Sequence, residues 1–262
     1  MYPTKQKHRS FVAEHVEKCS ISEDSITSTA HRIFKSVHGG SLRHMDLTTG
    51  TNGWASPSGD LFSLRTKNYL SKKQKGPAGD YLLQPCGINW LRSNTKLKNV
   101  LVHPDNRMAN TLRKAQSQGK SLKSFIFTVN LQIPSKDQHI VVFYFTTEDP
   151  IPAGLLLYQF VNGDDAACLL GKALTCNYHR GPNYLEIDVD IVSFGITKVI
   201  LRLALRYMTS VMIDIGFMME AHVEDELPEK LVGAVRVCEM EMLSVTVMEA
   251  LQTTSLGTSS CW

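Results

Sequence analysis

The sequence predicts a single α+β domain with a mainly antiparallel sheet and few helices. Runs of aromatic and β-branched residues, typical of strands, dominate the chain from about residue 53 onward. Short linkers join several of these runs, as in antiparallel hairpins. Helical periodicity is confined to a few segments. A chain of 262 residues, 43% of them hydrophobic, is long enough to bury one substantial core.

The two ends of the chain differ from its middle in amino-acid composition and hydrophobic pattern. Residues 1–45 are rich in Ser, Thr and charged residues without a sustained apolar period, which predicts a mobile N-terminal arm. The folded domain is expected over residues 46–248, followed by a C-terminal tail over 249–262.

The first part of the domain is predicted to consist of loops, short strands and one helix. Gly, Pro and Asn interrupt short runs after residue 53. A helix is expected between Pro104 and Gly119, because Met108, Leu112 and Ala115 share one face. The runs "KSFIFTVNLQIP" and "HIVVFYFTTEDP" then predict two strands, and the short "SKDQ" between them favours a hairpin.

The second part alternates between strand and helix patterns. The runs "GLLLYQF" and "CLLGKALTCNY" continue the strand texture, and "RGPNYLEIDVDI" predicts a turn followed by a strand. Apolar residues then recur at helical spacing over 196–207, beside a basic stripe of Lys198, Arg202 and Arg206. The run "SVMIDIGFMME" predicts another strand, and "EDELPEKLVGAVRV" predicts a turn leading into the last long strand.

The strand "NYLEIDVDI" places a carboxylate at every second position. Glu186, Asp188 and Asp190 therefore line one face, while the alternating aliphatic residues face the core. We interpret the acids as a water-facing row or as ion-pair partners of Lys172, Arg180 and the basic stripe. A protein contact or a metal site is the alternative. Same-face residues stand roughly 6.5–7 Å apart, so a metal would need further ligands from other strands.

The chain lacks the sequence patterns of common catalytic and cofactor sites. It contains no G-x-G-x-x-G, no H-E-x-x-H and no correctly spaced P-loop. Six cysteines occur without a C-x-x-C pair, so a structural zinc site is not indicated. We therefore expect no enzyme, no cofactor and no bound metal. A metal-dependent enzyme at the acidic strand is the least favoured alternative.

Two further patterns concern location. The basic N-terminus has no apolar segment behind it, so a secretory signal is not indicated. The one candidate membrane span, Ile191–Met219, is interrupted by charges that would be unfavourable in a bilayer. We expect a cytoplasmic protein, peripheral at membranes, without a transmembrane span.

Charge is unevenly distributed along the chain. Residues 1–123 hold 20 Lys and Arg against 8 Asp and Glu, whereas residues 124–262 hold 8 against 17. Within the basic half, "RTKNYLSKKQKGPAG" places five cations around Tyr69: Arg65, Lys67, Lys72, Lys73 and Lys75. Loop-borne cations beside an aromatic residue favour an anionic lipid or membrane surface. The alternative partner is another protein, contacted through the "EDELPE" turn and the acidic strand. No nucleic-acid-binding pattern is present, so nucleic acid is not expected.

Several motifs in series resemble one known family. They are "GWASPSGDLFSLRTKNYLSKKQKGPAGDYLLQPCGINWL", "FIFTVNLQIP", "LYQFVNGDDA", "CLLGKALTCNYHRGPNYLEIDVDI" and "DELPEKLVGAVRV". Together, from about Gly53 to about Val237, they resemble the C-terminal domain of the plant Enhanced Disease Resistance 2 protein. The resemblance implies a non-enzymatic plant regulatory module. In larger relatives this domain follows pleckstrin-homology and lipid-transfer domains that act at membranes and restrain defence-related cell death. With few residues before Gly53, we expect neither of those domains here.

The sequence departs from the family pattern at two places. Asn89 stands before Trp90 where the family usually has Asp. After Ala166 the chain runs directly into Ala167 and Cys168, where the family carries roughly two dozen basic and aromatic residues. The resemblance therefore implies an internal deletion at this junction. Loss of such a piece would leave an apolar groove or an unpaired strand edge, with aggregation as the hazard.

Overall fold

Alternation of apolar residues produces strands that can bury one face, and strands dominate the fold. The computed structural model describes residues 11–16, 42–47, 50–117, 125–133, 138–162, 175–191 and 211–249. In chain order the strands in these ranges are β1 (Phe11–Val16), β2 (Arg43–His44), β3 (Gly53–Ala55), β4 (Ser63–Arg65), β5 (Lys75–Pro77), β6 (Gln84–Ser93), β7 (Phe125–Ile133), β8 (Gln138–Thr147), β9 (Thr175–Gly181), β10 (Tyr184–Asp190), β11 (Met212–Met219), β12 (Leu231–Cys238) and β13 (Thr246–Val247). The described α-helices are α1 (Tyr69–Lys72), α2 (Arg107–Ser117) and α3 (Leu156–Asn162).

The strands form two large sheets and one small hairpin. The six-stranded sheet has the order β13-β6-β8-β7-β10-β9, and the five-stranded sheet has the order β1-β11-β12-β3-β2. Strands β4 and β5 pair separately as an antiparallel hairpin. Most pairings are antiparallel, but β10 runs parallel to β7, with Glu186 beside Thr128 and Asp188 beside Asn130. The prediction of an α+β domain with a mainly antiparallel sheet is confirmed.

The main core lies between the two large sheets. Phe217 of the five-stranded sheet packs against Phe143 and Phe145 of the six-stranded sheet, with 5.2 Å between ring centroids in both pairs. Trp90 and Ile187 are completely buried in the same cluster. The aliphatic face of β10 therefore points into this core, as its alternation predicted.

Each sheet is also covered on its outer face. Residues 94–117 form a cover layer over the six-stranded sheet, comprising a loop, the 3-10 helix Val100–Val102 and α2. Leu97, Val100, Leu101 and Met108 of this cover layer are buried against that outer face. The β4–β5 hairpin covers the five-stranded sheet instead, with Phe62 and Leu64 packed against Met218, Leu231 and Ala234. The described residues thus form four layers.

Individual element predictions had mixed outcomes. The helix before Gly119 is confirmed as α2, and the β7–β8 hairpin is confirmed. The strand predicted for "GLLLYQF" is wrong, because Leu156–Asn162 forms helix α3. Leu157 and Phe160 are its buried residues, a three-residue spacing that also suits one face of a short helix.

Two predictions concern segments near the chain ends or outside the described residues. The segment predicted as a mobile arm contains β1, whose backbone pairs antiparallel with β11. This strand was not predicted, and the boundary near residue 45 stays a prediction. The helix predicted over 196–207 and its basic stripe lie outside the described residues. Among the helices that the structure describes, none has the length and apolar character needed to cross a bilayer.

Candidate functional site

The acidic strand lies inside the molecule, and the prediction of a water-facing row is wrong. The side chain of Glu186 is fully buried, and Asp188 is 2% exposed. Only Asp190, at the end of β10, is half-buried. The reason is the cover layer, which closes over the outer face of the sheet where these carboxylates stand. Alternation gave the correct face but could not indicate what covers it.

Backbone amides of the cover layer bind these buried carboxylates. The two carboxylate oxygens of Glu186 accept from the N–H groups of Val100 and Leu101, at 2.7 and 2.9 Å. The backbone N–H of Asn99 donates to Asp188 at 3.3 Å. Asn99 has a left-handed backbone with φ 52° at the start of the 3-10 helix. Three successive N–H groups therefore meet two acids, an arrangement typical of backbone anion sites.

Side chains of β7 and β9 complete the network. The Asn130 amide donates to Asp188 at 2.8 Å and to the backbone carbonyl of Leu97 at 2.8 Å. Gln132 also donates to the Leu97 carbonyl, at 2.6 Å. The Nε2 atom of His179 lies 2.7 Å from an Asp188 carboxylate oxygen and forms a hydrogen bond with it at the sheet edge. Buried polar groups held in this way fix the position of the segment that covers them.

The protonation of Glu186 depends on its burial and on the neighbouring Asp188. Burial, together with the neighbouring Asp188 carboxylate, raises the pKa of Glu186 to about 8, although the N–H groups of Val100 and Leu101 act in the opposite direction. Burial also raises the pKa of Tyr144, whose hydroxyl accepts from Asn106 of the cover layer at 2.9 Å. The surroundings of Glu186 therefore favour its protonated form.

The acidic strand is an interior latch rather than an exposed contact surface. Asp190 pairs with Lys96 of the cover layer, so all three acids hold the same segment. Among the residues that the structure describes, no three His, Cys, Asp or Glu side chains are grouped to hold a metal ion. The acids therefore cannot supply the protein contact suggested for them without displacement of the cover layer.

Arg180, the one predicted ion-pair partner of the acidic strand that lies within the described residues, contacts other groups. Arg180 instead lies over the ring of Tyr178, 5.9 Å from its centroid, and donates to the backbone carbonyls of Phe160 and Val161. Lys172 and the basic stripe lie outside the described residues. Instead, Lys96 pairs with Asp190, and His179 forms a hydrogen bond with Asp188. Lys96 is distant from β10 in the sequence, and His179 lies on the neighbouring edge strand β9. The spacing of residues within β10 therefore did not indicate either of them.

The structure places the basic cluster on the β4–β5 hairpin. Strands β4 and β5 pair from Ser63 with Pro77 to Arg65 with Lys75. The turn beyond them is closed by the Thr66 N–H and the Gln74 carbonyl, 3.1 Å apart. Helix α1 forms the tip, and Lys73 ends it with φ 53° while its N–H donates to the Tyr69 carbonyl. Five cations that are spread over eleven positions of sequence are thus gathered on one short projection.

Arg65 differs from the other four cations. Its guanidinium donates to Glu220 at 2.6 Å and to the carbonyl of Ala221 at 3.2 Å. Its backbone N–H donates to the buried carboxylate of Glu229 at 3.0 Å. Glu220 and Glu229 also contribute to a raised pKa of Arg65, against the opposing effect of its burial. Arg65 therefore anchors the hairpin to the body and does not present a free charge.

The tip of the hairpin, residues 66–74, combines cations with an exposed apolar side chain. Lys67, Lys72 and Lys73 are exposed, and Leu70 between them is 44% exposed. The half-buried Tyr69 ring lies beneath Arg65 and Lys73, at 4.8 and 5.3 Å from its centroid. Lys75, on β5, is also exposed. Sequence reasoning selected the cations but missed Leu70, since a lone leucine gives no signal before its exposure is known.

The described cations of the basic first half do not converge on one surface. Lys96 and Lys98 lie on the cover layer, on the far side of the six-stranded sheet from the hairpin. The acidic turn Glu224–Glu226 lies close to the hairpin base, since Arg65 contacts Glu220 and Glu229 on either side of it. Glu224 and Asp225 are exposed there. The hairpin tip is therefore a local basic site, not part of a continuous basic face.

The fold and this site define a two-sheet α+β domain with a lysine-rich projecting hairpin and an internal acidic latch. A sequence model of the family described as Protein ENHANCED DISEASE RESISTANCE 2, C-terminal, matches residues 54–167 and 165–241. The chain belongs to this family, which is linked to plant disease resistance. The two matched ranges meet beside the junction after Ala166, which lies outside the described residues.

A named relative gives the same result. The chain is 34% identical over 238 residues to the Protein ENHANCED DISEASE RESISTANCE 2-like of Arabidopsis thaliana. The aligned part covers 81% of this chain and 32% of the relative, so the chain spans about a third of that protein's length. No solved structure matches the chain.

Proposed function

We propose that this chain is a non-enzymatic regulatory module that binds anionic membrane surfaces through the tip of the β4–β5 hairpin. The observation that carries the proposal is the exposure of Leu70 in the middle of Lys67, Lys72 and Lys73. A water-exposed leucine alone is ordinary. Surrounded by lysines on a projecting turn, it suits a surface that offers anionic headgroups above an apolar interior.

The energetic contributions favour association of moderate strength. Each Lys near an anionic bilayer surface contributes about 1 kcal/mol, and insertion of an apolar side chain adds a favourable term that increases with its buried area. Tyr69 lies beside Leu70, and a Tyr ring suits the boundary between headgroups and acyl chains. The nearby acidic turn opposes a flat approach of the whole molecule. We therefore expect contact at the tip alone, with reversible binding.

Arg65 has a supporting role in this proposal. Its bonds to Glu220, Ala221 and Glu229 fix the base of the hairpin, and Phe62 and Leu64 anchor the hairpin in the body. A rigid base presents the three tip lysines together, so less conformational entropy is lost on binding. A role in defence signalling would then follow from recruitment of the chain to a membrane.

Reversal of two tip charges tests the proposal. We expect the variant K67E/K72E to bind vesicles of phosphatidylcholine and phosphatidylserine at least about 30-fold more weakly than the unaltered chain, from about 1 kcal/mol for each lost lysine and further repulsion by the introduced glutamates. The measurement is vesicle co-sedimentation at low salt. Binding by the unaltered chain should also weaken as ionic strength rises, because the charges are exposed.

A matched control separates a local site from net charge. The variant R43E/K98E makes the same change in net charge at two exposed residues away from the tip, and it should bind within about twofold of the unaltered chain. Equal losses in both double variants would contradict a local hairpin site. Equal binding of the unaltered chain to neutral and anionic vesicles would contradict the proposed function itself.

A further inference from the structure

We infer that Ser71 is a phosphorylation site whose modification releases the hairpin from an anionic membrane, an inference that depends on the proposed function. Ser71 is exposed and lies in α1 between Leu70 and Lys72. Its hydroxyl donates to the carbonyl of Asn68 at 3.1 Å. The neighbouring hydroxyl of Thr66 instead donates to the Gln74 carbonyl that closes the turn.

The local structure makes Ser71 accessible to a protein kinase. A kinase generally requires its substrate segment in an extended form, so the tip must open. Helix α1 is a single turn that contains no buried residue, so its opening exposes no core. Regions with few buried contacts open at low free-energy cost. The flanking lysines suit a kinase with an acidic substrate groove.

The chemical step is phosphoryl transfer from ATP. The Oγ atom of Ser71 attacks the γ-phosphorus of ATP, the bond to ADP breaks, and the hydroxyl proton passes to a base of the kinase. The product carries about −1.5 to −2 charges at neutral pH. It also lacks the hydroxyl proton that now bonds to the Asn68 carbonyl.

The added phosphate acts directly on the proposed membrane contact. The three exposed tip lysines, Lys67, Lys72 and Lys73, lie within four positions of Ser71 in the sequence. The charge of the phosphate offsets about two of these three positive charges. It also places a strongly hydrated group beside Leu70, where insertion would otherwise occur. Both effects weaken association with anionic headgroups, which is the behaviour of an electrostatic switch.

The test compares the whole chain carrying genetically encoded phosphoserine at position 71 with the unmodified chain, on the same anionic vesicles. We expect binding to weaken about 10- to 30-fold, with an unchanged thermal unfolding midpoint. The variant T95E serves as a control, because Thr95 is exposed on the cover layer. It should leave binding within about twofold. A second arm incubates the unmodified chain with ATP and a basophilic serine kinase and maps the product by mass spectrometry, with S71A as the control.

The outcomes distinguish this inference from the proposed function. If the unmodified chain binds anionic vesicles but phosphoserine at position 71 changes nothing, the inference is wrong and the proposed function stands. If the kinase modifies other positions but not Ser71, the accessibility argument is wrong. If the unmodified chain shows no preference for anionic vesicles, the proposed function is wrong, and the inference that depends on it is wrong as well.

Discussion

Replacing Glu186 by alanine is expected to lower the free energy of unfolding at pH 6 by about 2–4 kcal/mol, the range for loss of a buried hydrogen-bonded group. The substitution removes the acceptor of the Val100 and Leu101 N–H groups. It also leaves a cavity between the sheet and the cover layer, where the Glu186 side chain is buried. Urea unfolding would measure the change, and hydrogen exchange at the amides of Val100 and Leu101 would locate it.

Asp190 provides the matched control for this experiment. It lies on the same face of the same strand, but it is half-buried and pairs with the exposed Lys96. Pairs of this kind near the surface contribute roughly 0–1 kcal/mol, so Asp190→Ala should lower stability by less than Glu186→Ala. Similar small effects at both positions would contradict the latch, because they would mean that Glu186 faces water as the sequence alone suggested.

The contribution of Glu186 to the stability of the unaltered chain is expected to fall as the pH rises from about 5 to about 8. Glu186 has a folded-state pKa of about 8, above its ordinary value of 4.5. It therefore binds its proton more tightly in the folded state than in the unfolded chain. The resulting stabilisation is complete below the ordinary pKa and is lost as the pH rises through the folded-state pKa. The effect is on the order of a few kcal/mol.

The variant Glu186→Gln isolates this contribution. Glutamine does not titrate, so its unfolding free energy should change less between pH 5 and pH 8 than that of the unaltered chain. Other ionisable groups remain in both proteins, and those that do not contact residue 186 cancel in the difference between the two slopes. Parallel pH profiles would contradict an acid that keeps its proton in the folded state.

The sequence was sufficient for much of the fold because the core obeys simple alternation. The apolar face of β10 and the β7–β8 hairpin follow from residues that are close together in the sequence. Helix α3 was misassigned because "GLLLYQF" is a short apolar run, for which strand and helix patterns are hard to distinguish. Strand β1 was missed since its pairing with β11 joins segments about 200 positions apart.

The candidate site was predictable only in part, and for a similar reason. The cations of the hairpin are neighbours in the sequence, so their grouping was visible. The neutralisation of Arg65 by Glu220 and Glu229 and the burial of Glu186 beneath Val100 both depend on distant segments. An acid on a strand looks the same in sequence whether water or backbone N–H groups surround it. Long-range contacts therefore reversed the interpretation of the acids and showed that Arg65 anchors the hairpin to the body.

The location of residue 70 in the membrane-bound protein tests the central claim most directly. An environment-sensitive fluorescent amino acid would replace Leu70, and in a second protein it would replace Lys98 on the cover layer. We expect a blue shift of the emission at position 70 when anionic vesicles are added, and no shift at position 98. Membrane-bound protein with unchanged emission at position 70, or with equal shifts at both positions, would contradict binding through the hairpin tip.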